Sequence, residues 1–345
     1  MQRPILLVSA LACMQSGATA QSIDFESIST LDRWMYPFNG APGTRFSATT
    51  FGAPRLAGFD DHDAQFIVGF DTSVGVPTGL AASEYRVTSL VVTATISNNN
   101  QFRFDPTSDP QASYESQEGG YPNLIADLDE GRPIEIWGLG YRDGFDASSW
   151  TEITTFGLSP VIPPAQEART AFMAIFDAAG NPTEATNNLT QEIDRTPMGV
   201  GQIDTIAPGG LVPADSVVTF EVDLCDPGTR AYLAQSLALG ELRFAISSLH
   251  FADGGPGGGT SDPLYPEFYT RENPIAQILG LEPTVELTVF TGPIGDYNSD
   301  GLRNFFDIAD YINDFNAREP LADINGDCLF NFFDISAFIA EYNTP

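Results

Sequence analysis

Twelve residues, 296–307 (DYNSDGLRNFFD), recur as residues 323–334 (DINGDCLFNFFD), and ordinary turn chemistry does not account for the pattern they share. Aligning residues 296–316 with 323–343 gives 11 identities in 21 positions at a spacing of 27 (323 − 296), which marks an internal duplication. Oxygen-bearing side chains stand at loop positions 1, 3, 5, 9 and 12. They are Asp296, Asn298, Asp300, Asn304 and Asp307, then Asp323, Asn325, Asp327, Asn331 and Asp334. A tight coil turns alternate side chains inward and adds the position-7 carbonyl, here Leu302 and Leu329. Such a shell supplies the six to eight hard oxygens that Ca2+ takes at about 2.3–2.6 Å, so two calcium ions are expected. Gly301 suits the sharp turn at position 6.

A helix is predicted after each loop. Phe306, Ala309, Ile312 and Phe315 recur at helical spacing, as do Phe333, Ser336, Ile339 and Tyr342, and these two stripes are expected to pack on one another. Some fifty residues make a marginal core, so metal is expected to take part in folding this segment.

Charge narrows the partners. All 15 basic residues are arginine, set against 46 acids, for a formal net charge of −31. Such a surface repels nucleic acid and anionic membranes, and it favours cations and neutral partners. Residues 1–20 read as a bacterial secretory signal, with Arg3 in the n-region, an apolar stretch at 5–14 and small residues at 18–20; a lipobox around Cys13 is matched poorly. A secreted, extracellular or cell-surface location follows, with no transmembrane segment, because no later run approaches the roughly 20 apolar residues of a membrane span. Beyond the signal stand only Cys225 and Cys328. The favoured reading leaves them unpaired, one a buried thiol and the other an unusual loop residue, with a disulfide as the alternative.

Residues 21–291 read as one antiparallel β-sandwich of jelly-roll kind. EYRVTSLVVTATIS, RPIEIWGLGY, DSVVTFEVDL, GELRFAISSLHF and TVELTVF are β-branched and aromatic runs bounded by turn formers, and regularly interposed helices are missing. One helix is predicted, TRAYLAQSLAL, with Thr229 as N-cap and Gly240 as its stop. The Pro-rich SPVIPPAQEART opens a stretch, running to about residue 216, that reads as irregular. Residues 292–345 form the C-terminal unit.

That unit resembles a type I dockerin in the variant found on secreted proteins of planctomycete-type bacteria. It has two loops of the form D-x-N-x-D-G-x-x-N-x-x-D, each leading into a helix without the entering helix of a full EF-hand. The resemblance covers about one-seventh of the chain. It implies two bound Ca2+ and noncovalent docking onto a cohesin-like domain of a scaffold or cell-surface protein. Two departures stand out. Cys328 replaces glycine at position 6 of the second loop, where a left-handed backbone costs a residue with a Cβ on the order of 1 kcal/mol, so the second site is expected to be the weaker. The family's partner-recognition positions, polar or basic in clostridial modules, are apolar here. Phe305, Phe332, Ile312 and Ile339 are the candidate partner-binding residues, with burial of both phenylalanine pairs as the competing reading.

No catalytic constellation is legible in the sandwich. His250 reads as a satisfied structural imidazole, and His62, flanked by Asp60, Asp61 and Asp63, reads as a solvated acidic turn in preference to a metal site. Tyr265, Phe268 and Tyr269 follow a glycine-rich loop and are the candidate ligand-binding residues, a platform for sugar rings with Asp262, Glu267 and Arg271 for hydroxyls. Against that stands the favoured reading that these aromatics, like Trp137 and Trp150, are buried. The function expected is a noncatalytic anchored protein whose sandwich binds polysaccharide. A polysaccharide-degrading enzyme or a structural matrix component is the alternative.

Overall fold

A computed structural model describes residues 21–116, 119–157, 168–193, 196–251 and 264–344. In chain order the strands are β1 (Gln21–Ile28), β2 (Leu31–Met35), β3 (Ser47–Thr49), β4 (Gln65–Asp71), β5 (Tyr85–Thr95), β6 (Ile134–Tyr141), β7 (Ala171–Phe176), β8 (Pro182–Glu184), β9 (Gly199–Val200) and β10 (Val217–Glu221). Helix α1 (Pro227–Leu239), β11 (Glu241–Ser248), β12 (Glu267–Tyr269), α2 (Pro274–Leu279) and β13 (Thr284–Thr291) complete the β region, and α3 (Phe305–Ala317) and α4 (Phe332–Tyr342) follow. The protein is mainly β with antiparallel sheets.

One sheet runs β1-β13-β5-β10; the other runs β2-β4-β11-β6-β7-β8, with β9 also on β6. All their pairings are antiparallel. Alternate residues of the first sheet, among them Leu90, Val92, Val218, Val285 and Leu287, meet Phe66, Val68, Ile136, Phe244 and Ile246 of the second in one continuous core. Strands β4, β6 and β11 are buried on both faces. A second core on the far side, built on Met35, Ile67, Trp137, Leu139, Trp150 and Met173, covers the outer face of the larger sheet. The stretch expected to be irregular instead supplies β7, β8 and β9; residues 158–167, most of its Pro-rich start, lie outside the described residues.

Helix α1 closes one end of the main core through Tyr232, Leu233, Ala234 and Leu237. Its N-cap is Asp226, which accepts from the Thr229 N–H at 2.6 Å, and Pro227 occupies the first turn; Thr229 is not the cap. Aspartate wins because proline at the next position fixes the helix start there. Gly228 has to be glycine: a Cβ would stand 1.9 Å from the Phe176 carbonyl. Gly240 ends the helix in the left-handed region, as its sequence position predicts.

The C-terminal helices share a small core. Tyr311 of α3 stacks on Phe338 of α4 with ring centroids 4.1 Å apart, and Tyr297 packs edge-on to both. Ile308, Phe315, Ile335 and Tyr342 flank them. This corrects the predicted stripe: Phe315 and Tyr342 do face the core, but Phe306, Ile312, Phe333 and Ile339 are exposed. Apolar residues occupy most positions around each helix, so two i, i+3, i+7 stripes compete, and the stripe carrying Tyr311 and Phe338 wins.

This pair is fastened to the sandwich. Cys225, just before α1, and Cys328, in the second loop, form a disulfide across 103 residues, correcting the unpaired reading. Arg86 of β5 lies over the Tyr297 ring at 5.9 Å. Between α1, β5 and the second loop runs a cleft of about 730 Å³. No described helix is long and apolar enough to cross a membrane.

Candidate metal centres

Both repeated loops follow one backbone path. Positions 4 and 6 are left-handed in each: Ser299 (φ 71°) and Gly301 (φ 80°), then Gly326 (φ 67°) and Cys328 (φ 59°). Each loop therefore has one glycine and one strained residue, only in exchanged places. The cost foreseen for Cys328 has its counterpart at Ser299, so backbone strain gives no reason to rank the second site below the first.

Most of their hydrogen bonds match, the second loop adding bonds from the Asp327 N–H to Asp323 at 3.1 Å and from the Asn325 amide to Asp327 at 3.2 Å. At position 12, Asp307 and Asp334 are fully buried. Each accepts from the position-3 N–H (Asn298 at 3.2 Å, Asn325 at 3.3 Å) and from the position-9 N–H (Asn304 at 2.7 Å, Asn331 at 2.9 Å). At position 1, Asp296 accepts from the Gly301 N–H at 2.9 Å and Asp323 from the Cys328 N–H at 2.8 Å. Asn304 and Asn331 cap α3 and α4, accepting from the Phe306 and Phe333 N–H groups, both at 2.8 Å. Their amides donate to the position-7 carbonyls of Leu302 (3.1 Å) and Leu329 (3.0 Å). The N-x-x-D end of each loop thus doubles as a capping box, the local reason the helices begin where they do.

The donors fit a hard cation. Asp296 is 95 % buried (5 % exposed), yet its Oδ1 has no hydrogen-bond partner among the described residues. An ionised oxygen in that position needs a positive charge or a donor. In the second loop, one carboxylate oxygen each from Asp323, Asp327 and Asp334 lies within 4.8 Å of the others. Asp296, Asp300 and Asp307 do not draw together to that degree. Burial pushes the Asp323 carboxyl above its usual range, opposed by the Cys328 N–H and by Arg230, with Asp334 adding to the rise.

The sandwich grips the second loop directly. Arg230 of α1 donates to the Asn325 carbonyl at 3.1 Å and stands 4.0 Å from the Asp323 carboxylate. Its guanidinium fills the space where a Cβ on Gly326 would be, with Nη1 1.1 Å from that point, so glycine is required there twice over, by φ and by contact. Together with the disulfide, this fastens the second loop to the sandwich, whereas the first loop meets it through Tyr297 beneath Arg86.

Both phenylalanine pairs are exposed. Phe305 and Phe332 are each 72 % exposed, and Phe306, Phe333, Ile312 and Ile339 are exposed with them. Leu302 and Leu329 extend the surface, so eight large apolar side chains stand at four equivalent positions of two repeats.

In the sandwich, the favoured reading that the aromatics are buried holds for Phe268, Trp137 and Trp150, and the sugar platform loses its central member. Phe268 is fully buried, stacked 5.6 Å from Phe66, because β12 pairs with β3 and turns it into the core; it has no face for a sugar ring. Tyr265 is half-buried against Phe51, and Tyr269 donates to Asp215 at 3.0 Å. Glu267 accepts from Ser97, Arg271 pairs with Glu152 and Glu272, and Asp262 with the glycine-rich loop lies outside the described residues. Trp137 and Trp150 are core.

The acids around His62 are no solvated turn, since residues 60–63 are all buried. Arg169, itself fully buried, donates to Asp60 at 2.7 Å and to the carbonyls of His62 and Asp63. His62 contacts Ser247 at 2.8 Å and Asn188 at 3.2 Å, which commits both ring nitrogens to structure. Long-range partners 100 residues and more away neutralise this segment, and nothing local announces them. His250 is buried as expected, but neither ring nitrogen has a hydrogen-bond partner among the described residues.

A scan of protein-family models finds no match to the chain, and a search of curated proteins finds no match either.

Proposed function

We propose that this is a secreted, surface-docked protein whose C-terminal unit is a type I dockerin-like module, binding one Ca2+ in each repeated loop and presenting its exposed apolar face to a cohesin-like domain. The observation that carries the reading is the coincidence of two features in both repeats. A matched oxygen-lined loop leads into a helix, and beside it stand Phe305, Phe306 and Ile312 or their counterparts Phe332, Phe333 and Ile339 in solvent. Exposed aromatic and branched side chains in a chain this acidic favour a specific protein contact over a bare surface. Ca2+ would be held by Asp296, Asn298, Asp300, Asp307 and the Leu302 carbonyl, and by Asp323, Asn325, Asp327, Asp334 and the Leu329 carbonyl. Asn304 and Asn331 stand beside those carbonyls at position 9 and complete each donor set.

The sandwich is then the cargo. Polysaccharide binding by it rests on Tyr265 and Tyr269 alone once Phe268 is removed, and it is the weaker half of the proposal.

Mature chain used as bait against envelope proteins of the source organism tests the docking half. Capture of a protein with a cohesin-like domain in calcium, lost with chelator and lost with Phe305→Ser/Phe332→Ser, is the expected result. Capture that ignores calcium, or that survives the double substitution, would overturn it; capture of the bait's own chain alone would point to self-assembly.

A further inference from the structure

The connection between β5 and β6 carries a second concentration of acids, unrelated in sequence to the repeats. Asp105, Thr107 and Asp109 stand at alternate positions of DPTSDP, and Asp127 and Asp129 at alternate positions of DLD. One carboxylate oxygen from each of Asp105, Asp109 and Asp129 lies within 4.8 Å of the other two. The Thr107 hydroxyl sits between the two segments, 2.8 Å from Asp105 Oδ1 and 3.0 Å from Asp129 Oδ2. Four aspartates therefore crowd this point, and Arg132 pairs with two of them, Asp109 at 2.8 Å and Asp127. Arg103 turns away to Glu130 and the Gly209 carbonyl.

A second observation points to a ligand. Asp105 is only 3 % exposed, and its Oδ2 is buried with no hydrogen-bond partner among the described residues. Its other oxygen is taken by the Thr107 N–H and hydroxyl. This is the same mark that Asp296 Oδ1 carries in the first calcium loop. An ionised oxygen without a donor in a buried site is costly unless a cation meets it, and Arg132 is already committed. The other acidic cluster, Asp32 with Glu152 and Glu272, carries the same mark at Asp32 Oδ1, but Arg271 meets all three of its acids. Arg271 Nε reaches the glutamates at 3.0 and 3.1 Å, and its backbone N–H reaches Asp32 at 2.7 Å. Arg132, by contrast, pairs with Asp109 alone of its three, leaving Asp105 and Asp129 without an ion pair among the described residues.

We infer that Asp105, Asp109 and Asp129, with the Thr107 hydroxyl, form a third cation site that takes Ca2+ and lies in the sandwich itself. The donors are all hard oxygens, with no thiolate or imidazole among them, which selects Ca2+ over zinc or copper. Three carboxylates and a hydroxyl leave room in the shell for water, so this site binds less tightly than a complete loop. An ion there ties the 105–109 segment to the 127–129 segment, just past the point where residues 100–104 pair with residues 209–212.

Calcium titration of the mature chain, counting ions per chain by calorimetry and equilibrium dialysis, tests this independently of the two loops. The expected count is three. Asp129→Asn, at an exposed residue whose loss should leave folding intact, removes one ion, and Asp105→Asn removes the same one. With the loops silenced by Asp296→Asn and Asp323→Asn, one ion remains, and adding Asp129→Asn abolishes it. An unchanged count in Asp129→Asn, or no ion left in the loop-silenced chain, overturns the site. If instead the loops fail to bind, the parent chain holds one ion and Asp129→Asn none, which separates the failure of the docking proposal from the failure of this one.

Discussion

In the sandwich, the central strands of the larger sheet are buried on both faces, and the buried Asp60, His62 and Arg169 beside them find partners across the chain. In the C-terminal unit, three aromatic rings, those of Tyr297, Tyr311 and Phe338, form the centre of the core, while eight large apolar side chains face solvent and the buried acids point into their own loops. Size accounts for the contrast. A domain of some 270 residues buries about three-quarters of its unfolded surface, whereas fifty residues cannot, and such small units rely on metals or disulfides. The C-terminal unit has a disulfide and two loops fit for metal. Its unburied apolar residues are what a docking face requires.

Removing the metal is the largest blow to that contrast. Chelator added to residues 21–345 should strip helix from α3 and α4, seen as lost far-ultraviolet signal and fast hydrogen exchange over residues 296–344. Tryptophan fluorescence should hold steady, since Trp34, Trp137 and Trp150 all lie in the sandwich. Unchanged exchange in the helices would mean that the disulfide and aromatic core suffice without an ion.

Next in size is a paired substitution. Trp150 is fully buried, packs in the second core and donates its indole N–H to Thr170 at 3.1 Å. Trp150→Ala should lower unfolding free energy by about 3–5 kcal/mol in urea titrations. Phe305→Ala, removing an equally apolar group, should change it by less than about 0.5 kcal/mol. A large loss at Phe305 would place that ring in a core and undo the docking face.

How much of this could be read in the chain follows the same division. Strands β5, β6, β10, β11 and β13 were legible because turn formers bound β-branched runs, and both loops because oxygen donors recur at fixed spacing. Residues whose fate depends on distant partners were not. Cys225 and Cys328 stand 103 positions apart, and Phe268 is buried by a pairing with β3 some 220 residues earlier. On the helices, the period is right but the face is ambiguous when Phe305 and Phe306 are adjacent. Ile308 and Tyr311 then compete with Phe306 and Ile312 for the core, and only the position of the opposite helix decides.

The smallest effect concerns how the sandwich neutralises the buried 60–63 segment through its own side chains. Burial, chiefly, pushes the His62 imidazole down to about 3, with the nearby Arg169 charge adding to the fall and the Asn188 contact opposing it. In the unfolded chain a histidine titrates near 6.5, so between these values the unfolded state holds one proton more than the folded state. Stability from this group is complete above about pH 6.5 and falls by roughly 1.4 kcal/mol per pH unit as acid is added. Asp63, pushed up to about 7 by burial, works in the opposite direction over much of that window, so the parent protein's own slope is a sum. Comparison with His62→Gln isolates the imidazole. The variant should be the less stable at neutral pH, having poorer contacts to Ser247 and Asn188, and below about pH 6 the gap should close by roughly 1.4 kcal/mol per pH unit, because only the parent carries the protonation penalty. Urea unfolding followed by tryptophan fluorescence at two pH values measures it. A gap that stays constant would mean His62 is charged or hydrated in the folded sandwich, and the contrast between a buried segment satisfied by distant side chains and loops that depend on an ion would lose its clearest case.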